Sequence, residues 1–282
     1  MSVPTHGNYH GYYLKRQSVT DPRLELLPEN TFAGKHVLDI GCNEGWVTCE
    51  IAQNWGAHKV VGVDIDDTLV RAAWKRRQVV WSLQEPLFTI EAEAVDKMEV
   101  DDSNLIQDCL TQLQPDYFPA SLQHSFGSLP IPPSSIRGKH VFPHNVSFRT
   151  ADWTKEPIVE DAAGYDVVVA FSITKWIHLN GGDEGLCAFF RRVYSVIKPG
   201  GLLILEPQEW DTYKKAKRMN ESLRNTAQTL KLRPSDFESI LVGMGFSLAR
   251  HIGTTGDGGF RRPVDLYVKE ASRLINNEGS SL

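Results

Sequence analysis

Apolar residues first fall into register at Val37–Ile40, a run short and dense enough for a buried strand, and the chain then breaks at Gly41, Cys42, Asn43, Glu44 and Gly45. A helical period follows at once in Val47, Ile51, Ala52 and Trp55, spaced to keep one face apolar. Lys59–Val63 reads as a second strand and Thr68–Ser82 as its helix. The period then dissolves. Residues 82–140 are acidic and afterwards proline-rich, and are expected to form a largely disordered insertion rather than a second domain. Regular structure returns with a third strand, Val146–Thr150, and with Tyr165–Phe171, whose near-continuous apolar run suits a central parallel strand. Asp183–Ile197 is expected to be a helix with Leu186, Phe189, Phe190, Val193, Tyr194 and Ile197 on one face, stopped by Lys198-Pro199-Gly200-Gly201. Leu202–Leu205 makes a fifth strand and a helix opens at Pro234-Ser235-Asp236. Phe246–Ile252 and Val264–Lys269 form a closing pair around a glycine-rich loop. Strands alternating with helices and ending in such a pair predict an α/β chain: a doubly wound, mostly parallel sheet with a C-terminal antiparallel strand.

A strand, a glycine turn and a helix in that order present backbone N–H groups at a helix N-terminus to a ligand. Asp64 follows Gly41 by twenty-three residues and ends the second strand, where a carboxylate can accept both hydroxyl hydrogens of a ribose. The dinucleotide fingerprint is absent, because Asn43 stands where its second glycine would admit a pyrophosphate. Asp39-x-Gly41-x-x-x-Gly45 instead resembles the first motif of the Rossmann-like class I S-adenosylmethionine methyltransferases. That cofactor has no phosphate; its amino-acid tail needs an acceptor for the ammonium and N–H donors for the carboxylate. Ligands of open α/β sheets sit outside the carboxyl ends of the strands. Here those ends carry Gly41–Gly45, Asp64-Ile65, Asp152-Trp153, Ser172–Asn180 and Glu206–Trp210. Asp152 is a candidate acceptor for an adenine amino group, and equally a turn or cap acid. Lys175, Trp176 and His178 fall together after the fourth strand as a cationic, aromatic cluster, within which His178 suits a structural place as readily as a catalytic one.

At 282 residues and 41% hydrophobic composition the chain can bury a substantial core. No apolar run approaches the roughly 20 residues that span a bilayer, and the opening MSVPTHGNYHGYYLKR lacks a signal-peptide apolar region. Cys42, Cys49, Cys109 and Cys187 have no metal-ligand spacing, so no metal is expected and the thiols suit a reducing compartment. The net charge of −5 hides a segregation. Residues 91–108 hold seven acids and one lysine, whereas 213–233 hold seven bases and one glutamate. In that basic stretch Ala216, Met219, Leu223, Ala227 and Leu230 make only a thin apolar stripe. The expectation is a segment mobile in the free protein that orders as a helix against nucleic-acid phosphates, the alternative being an exposed basic helix with no partner. Tyr9, Tyr12, Tyr13, Lys15 and Arg16 interleave aromatics with bases near the start, which suits either an arm packed on the domain or a stacked base with its phosphates.

GNYHGYY, VLDIGCNEGWVT, SITKWIHLNGGDEGL, LEPQEWDTY and GFRRPVDLY, in that order across residues 7–267, resemble the successive motifs of the methylphosphate capping enzymes, the bicoid-interacting-3-like family. The resemblance implies a class I methyltransferase fold with S-adenosylmethionine as cofactor and S-adenosylhomocysteine as product. It implies transfer of a methyl to the γ-phosphate of a 5′-triphosphate on a small non-coding RNA made by RNA polymerase III, although some members act on a 5′-monophosphate. A La-related RNA-binding partner, a monomeric catalytic domain and a nuclear location, with the cytoplasm left open, are implied as well. The domain plan is then an arm over residues 1–30 that closes over the site, one methyltransferase domain over 31–270, and a disordered tail over 271–282. Carried over by motif, Tyr12 and Arg16 would belong to the arm, Gly41, Asp64 and Ile65 would line the cofactor, and Lys175 and Gln208 would face the phosphates. Joined with the strand-end reading, the cofactor set is Tyr12, Asp39, Gly41, Asn43, Gly45, Asp64, Ile65, Asp152, Trp153 and Ser172. Lys175, Arg16 and His178 would orient the phosphate without acting as a general base. Tyr9, Tyr13, Lys15, Gln208, Trp210, Lys214, Lys215, Lys217, Arg218, Arg261 and Arg262 would meet the RNA. Leu14-Lys15 departs from a frequent Gly-Tyr of the family, and Arg261 is an extra base beside Arg262. Two other functions fit the same residues: a ribonucleoprotein subunit that holds an RNA 5′ end with little turnover, and a small-molecule methyltransferase, for which the basic stretch has no evident use.

Overall fold

The computed structural model describes residues 4, 6–13, 20–83, 120–255 and 262–270. Seven strands form one sheet: β1 (His36–Ile40), β2 (Lys59–Asp64), β3 (Val146–Thr150), β4 (Tyr165–Phe171), β5 (Ile197–Glu206), β6 (Phe246–Thr255) and β7 (Arg262–Lys269). Their order is β3-β2-β1-β4-β5-β7-β6. The first five run parallel, and β7 is antiparallel to both β5 and β6. The order reverses between β1 and β4, which leaves a crevice beyond their carboxyl ends. Alternation along the central strands feeds two cores. Val37, Val60 and Val167 pack with Ile51, Val70 and Phe148 on one face. Leu38, Val61 and Val168 pack with Phe189, Phe190 and Leu203 on the other.

Two glycines are fixed by geometry. Gly41 leaves β1 at φ 76°, and a Cβ there would lie 2.3 Å from Ile173 Cγ2. Gly45, also at φ 76°, opens the helix Trp46–Asn54, and a Cβ there would crowd Ala73 and Phe148 at 2.9 Å. A side chain at either position would strain the backbone as well as clash.

Three expectations change. The helix expected at Asp183–Ile197 starts there, beyond a non-helical break at Gly182 (φ 67°), but a further helical stretch that the pattern did not place precedes it from Thr174. Beyond the break, Leu186, Phe189, Phe190 and Val193 bury against the sheet, as their helical spacing predicts. The insertion, expected disordered across 82–140, is folded over its returning part. Helices Ala120–Phe126 and Ser134–Arg137 form there. Trp81 Nε1 donates to the Pro130 carbonyl at 3.3 Å, and the Leu129 N–H donates to Ser82 Oγ at 2.7 Å. A proline-rich run has no period, but an extended chain can pack when side chains take up its carbonyls. Residues 84–119 and the tail 271–282 lie outside the described residues. Exchanging residues 86–117 for a short Gly/Ser linker is expected to preserve one cooperative unfolding transition, because loop closure depends weakly on length. A broadened or lost transition in thermal denaturation would show that those residues belong to the core.

The basic stretch is the third change. It folds as Tyr213–Ala216 and Glu221–Thr229, the second helix capped by Asn220, whose side chain accepts from Leu223 N at 2.8 Å. Tyr213, Ala216, Leu223 and Leu230 are buried against Trp176 and Leu179. The thin stripe is joined there by two large rings, Trp176 and Tyr213.

Candidate active site

A cavity of about 400 Å3 opens at the carboxyl ends of β1, β2 and β4. Its roof is the N-terminal arm, residues 6–13, of which Tyr9, Tyr12 and Tyr13 line it. The arm is held at both rims. Asn8 Nδ2 donates to Asp66 at 2.7 Å and the Gly11 N–H to Glu44 at 3.0 Å. Tyr12 OH bonds Ser172 Oγ at 3.3 Å, and the Tyr9 ring meets Trp176 edge-on at 5.9 Å.

One wall is built from Gly41, Asn43, Asp64, Ile65, Asp152 and Trp153. The Asp64 carboxylate accepts the N–H groups of Asn43 at 2.9 Å and Asp66 at 3.0 Å, and burial pushes its pKa up. Asn43 adopts a left-handed φ of 51° and donates from Nδ2 to the Tyr9 carbonyl at 3.1 Å. Its Oδ1 is buried without a partner among the described residues, an acceptor left for a ligand. Asp152 takes Thr154 Oγ1 at 2.5 Å and Lys155 Nζ at 2.8 Å, and Trp153 Nε1 is tied to Asp161. Asp39 and Gly45 do not line the cavity. Asp39 lies behind the loop, accepts from Thr48 Oγ1 at 2.6 Å and is pushed by burial to about 6. Both residues shape the turn; neither is placed to touch the cofactor.

The β4, β5 and β7 side of the cavity carries Ser172, Lys175, Trp176, Gln208 and Arg262, so Ser172, expected at the cofactor, stands among the cations. Lys175 is only 8% exposed, and its Nζ reaches Thr212 Oγ1 at 3.4 Å and the Trp176 ring at 4.8 Å. Burial, and then the nearby Arg262, lower its pKa to about 8. Gln208 accepts from Thr174 Oγ1 and the Lys175 N–H through Oε1, and donates to the Ser172 carbonyl, so it fixes the loop as well as lining the cavity. Ser172, at φ 60°, is a hub: its Oγ donates to Glu206 at 2.5 Å and accepts from Arg262 at 2.5 Å. Behind it Arg23 bridges Glu206 at 2.8 Å and Asp21 at 2.6 Å, over the Phe171 ring. Sequence reasoning missed Arg23 entirely. Its only signal was a base inside an otherwise apolar and acidic turn, PRLE.

His178 is not at the cavity. It is fully buried, with Nε2 on Asp183 at 2.8 Å and Nδ1 on Tyr213 OH at 3.2 Å, and Asp183 also accepts the N–H groups of Lys231 and Leu232. The cluster read from sequence is therefore split: Lys175 and Trp176 face the cavity, while His178 pins the 213–233 segment. His178→Ala should lower the melting temperature by several degrees, as expected for loss of a buried hydrogen-bonded group worth about 1–3 kcal/mol. Cofactor affinity in calorimetry should stay unchanged; a lost affinity with an intact melting temperature would return His178 to the site.

Trp210 stacks on Tyr213 at 4.6 Å under Arg233, away from the cavity. Lys214, paired with Asp211, and Lys215 and Arg218 are exposed, and Lys217 is half-buried. Lys15, Arg16 and Arg261 lie outside the described residues.

Comparison with known proteins adds to this geometry. A family model described as Bicoid-interacting protein 3 (Bin3) matches residues 165–269, and one described as a methyltransferase domain matches 37–109. The chain is 38% identical over 279 residues to the 7SK snRNA methylphosphate capping enzyme of Homo sapiens, covering 95% of this chain and 40% of that protein. It thus spans about two fifths of the human relative's length. It is 30% identical over 274 residues to the U6 snRNA methylphosphate capping enzyme Amus of Drosophila melanogaster, covering 94% of this chain and 74% of that one. An RNA 5′-monophosphate methyltransferase of Rattus norvegicus is 46% identical over 54 residues, 19% of this chain and 18% of that protein. The strand order and the methyltransferase-domain match together make the fold that of a class I methyltransferase.

Proposed function

From the premise that the chain belongs to the methylphosphate capping enzyme family, we propose that it transfers a methyl group from S-adenosylmethionine to a 5′-terminal phosphate of a small RNA. The observation that carries this reading is Lys175. A buried ammonium with no carboxylate beside it among the described residues is costly unless an anion arrives. It lines the same cavity as Arg262, where a phosphate would meet both cations.

The first wall fits the cofactor. Asn43 Oδ1 is an orphaned acceptor for an ammonium, Asp64 retains acceptor capacity for a diol, and Ile65 and Trp153 offer flat apolar cover to a base. When bound, S-adenosylmethionine supplies an electrophilic methyl on a sulfonium. The chain's own residues then have to orient and exclude water. A terminal phosphate has a second pKa of about 6, so its oxygen is already ionised near neutral pH and needs no general base. Lys175 and Arg262 hold it, and the arm closes the roof, so that nucleophile and methyl can meet in line at roughly 3–3.5 Å. Asp64→Ala should weaken S-adenosylmethionine about tenfold or more, from the loss of charge-assisted hydrogen bonds worth roughly 1.5–3 kcal/mol. Calorimetry on a folded variant with unchanged affinity would dispose of the diol assignment.

The triphosphate is the favoured acceptor, because likeness to a methylphosphate capping enzyme covers 95% of the chain and likeness to the monophosphate enzymes of Rattus norvegicus and Xenopus laevis 19% and 29%. RNAs ending in 5′-triphosphate, monophosphate or hydroxyl, incubated with methyl-labelled cofactor, test this. Label on the triphosphate RNA and none on the hydroxyl RNA is expected. Equal labelling of all three would contradict it, and binding without label would leave a protein that only holds the RNA end. The setting proposed is a nuclear ribonucleoprotein with a La-related partner; the relatives named for small nuclear RNAs support the small-RNA substrate alone. Co-fractionation with such a partner from nuclear extract tests that part.

A further inference from the structure

The helix after β2 and the returning part of the insertion share a property that the cavity does not use. From Thr68 to Leu83 the chain has Arg71, Lys75, Arg76 and Arg77 and no acid. Residues 120–145 hold Arg137, Lys139 and three histidines, again with no acid, in a chain whose net charge is −5. The two segments are packed together. Arg77 Nε donates to the Pro143 carbonyl and Arg137 Nε to the Phe142 carbonyl, both at 2.8 Å. Arg76 lies over the Trp46 ring at 3.0 Å, Arg77 over Trp74 at 5.0 Å and Arg137 over Trp81 at 4.2 Å.

A basic helix face that is merely solvated usually carries acids at i±4; here only Asp67 does so, paired with Arg71 at 2.7 Å. Arg77 and Arg137 are instead pinned by rings and carbonyls, which holds these cations in place without neutralising them, whereas Arg76 also lies near Glu44 and Glu50. Beside them Phe126 is 79% and Ile136 78% exposed. Bases fixed among exposed aromatic and apolar side chains suit a single strand whose bases stack while its phosphates are neutralised.

The surface begins at the cavity's rim. Asn8 bonds Asp66, and His10 meets Thr68 Oγ1 at 3.2 Å, so the arm that roofs the cavity abuts this helix's first turn. From Thr68 to Arg77 the helix rises roughly 14 Å. We propose that the helix Asp67–Ser82 and the segment 120–145 form a second RNA surface, which holds the substrate downstream of the 5′ end bound in the cavity. It rests on the reading of the substrate as RNA. An acidic protein would also be attracted to these charges, but cations rising along a helix beside an exposed phenyl ring favour a strand of phosphates and bases.

The test uses the full chain with Arg71, Lys75 and Lys139 changed to Gln, all exposed and none in the cavity, and separately Phe126→Ser. Binding of a 5′-triphosphate RNA of about 20 nucleotides is measured across a salt series. Loss of three phosphate contacts should flatten the slope of log K against log salt by roughly 2, at about 0.7 per phosphate. Phe126→Ser should weaken binding at least about fivefold. A 5′-triphosphate dinucleotide, too short to reach, should bind wild type and variants alike. An unaltered slope overturns the proposal and leaves the surface to an acidic protein; an equal loss with the dinucleotide overturns the downstream placement. Binding is read whether or not methyl is transferred, so failure of the methyl-transfer reading is seen separately, as absent label with the wild-type slope intact.

Discussion

Lys175→Ala should cost about a hundredfold or more in methyl transfer, the usual consequence of removing one preorganised charged donor from a site. Cofactor affinity should survive, because Asn43, Asp64 and Ile65 belong to the other wall. The pH profile of kcat/KM carries a sharper signature. Activity should rise as the terminal phosphate loses its second proton near pH 6. It should fall as pH passes about 8, where Lys175, its pKa lowered by burial and by Arg262, loses its positive charge. Lys175→Arg keeps a cation at all these values, so any activity it retains should lack the alkaline fall. Persistence of that fall in Lys175→Arg would assign it to another group.

Arg23→Leu should destabilise the fold by about 3–5 kcal/mol, since it strands buried carboxylates without their cation. Arg23 is 1% exposed and bridges Asp21 to Glu206, which is equally buried. For a domain of this size the melting temperature should drop by roughly 6–20 °C. Adding Glu206→Gln should recover part of the loss, because the stranded charge is then gone. A drop of less than about 2 °C in thermal denaturation would mean that the network is not a support of the fold. The same pair reaches the site through Ser172, whose Oγ bonds Glu206 on one side and Arg262 on the other. Stability and the placement of Arg262 are therefore coupled through one hydroxyl.

How much of this the sequence discloses depends on range. β3 and β4 run over the residues the apolar pattern predicts, Val146–Thr150 and Tyr165–Phe171, because burial of adjacent β-branched and aromatic residues is a local signal. The turn at Gly41 and the acid at Asp64 are legible for the same reason: strand, turn and following strand lie within one short unit. The Arg23–Glu206 bridge joins residues 183 positions apart, and no local pattern announces it. The division between Lys175 and His178 depends on Tyr213 and Asp183 arriving beneath the helix, which is again a tertiary fact. The prolines at 130, 132 and 133 read as a break, although the bond from Trp81 keeps that segment ordered. Asp39 shows the opposite failure. The motif names it as a ligand group, but its carboxylate is spent on Thr48 inside the loop.

The central claim is that the methyl lands on a terminal phosphate oxygen, and mass spectrometry of the 5′-terminal nucleotide released from reacted triphosphate RNA tests it most directly. A single added methyl that stays with the terminal phosphate when nucleoside and phosphates are separated is the predicted result. A methyl recovered on the base or the ribose, with the terminal phosphate unmodified, would contradict the account.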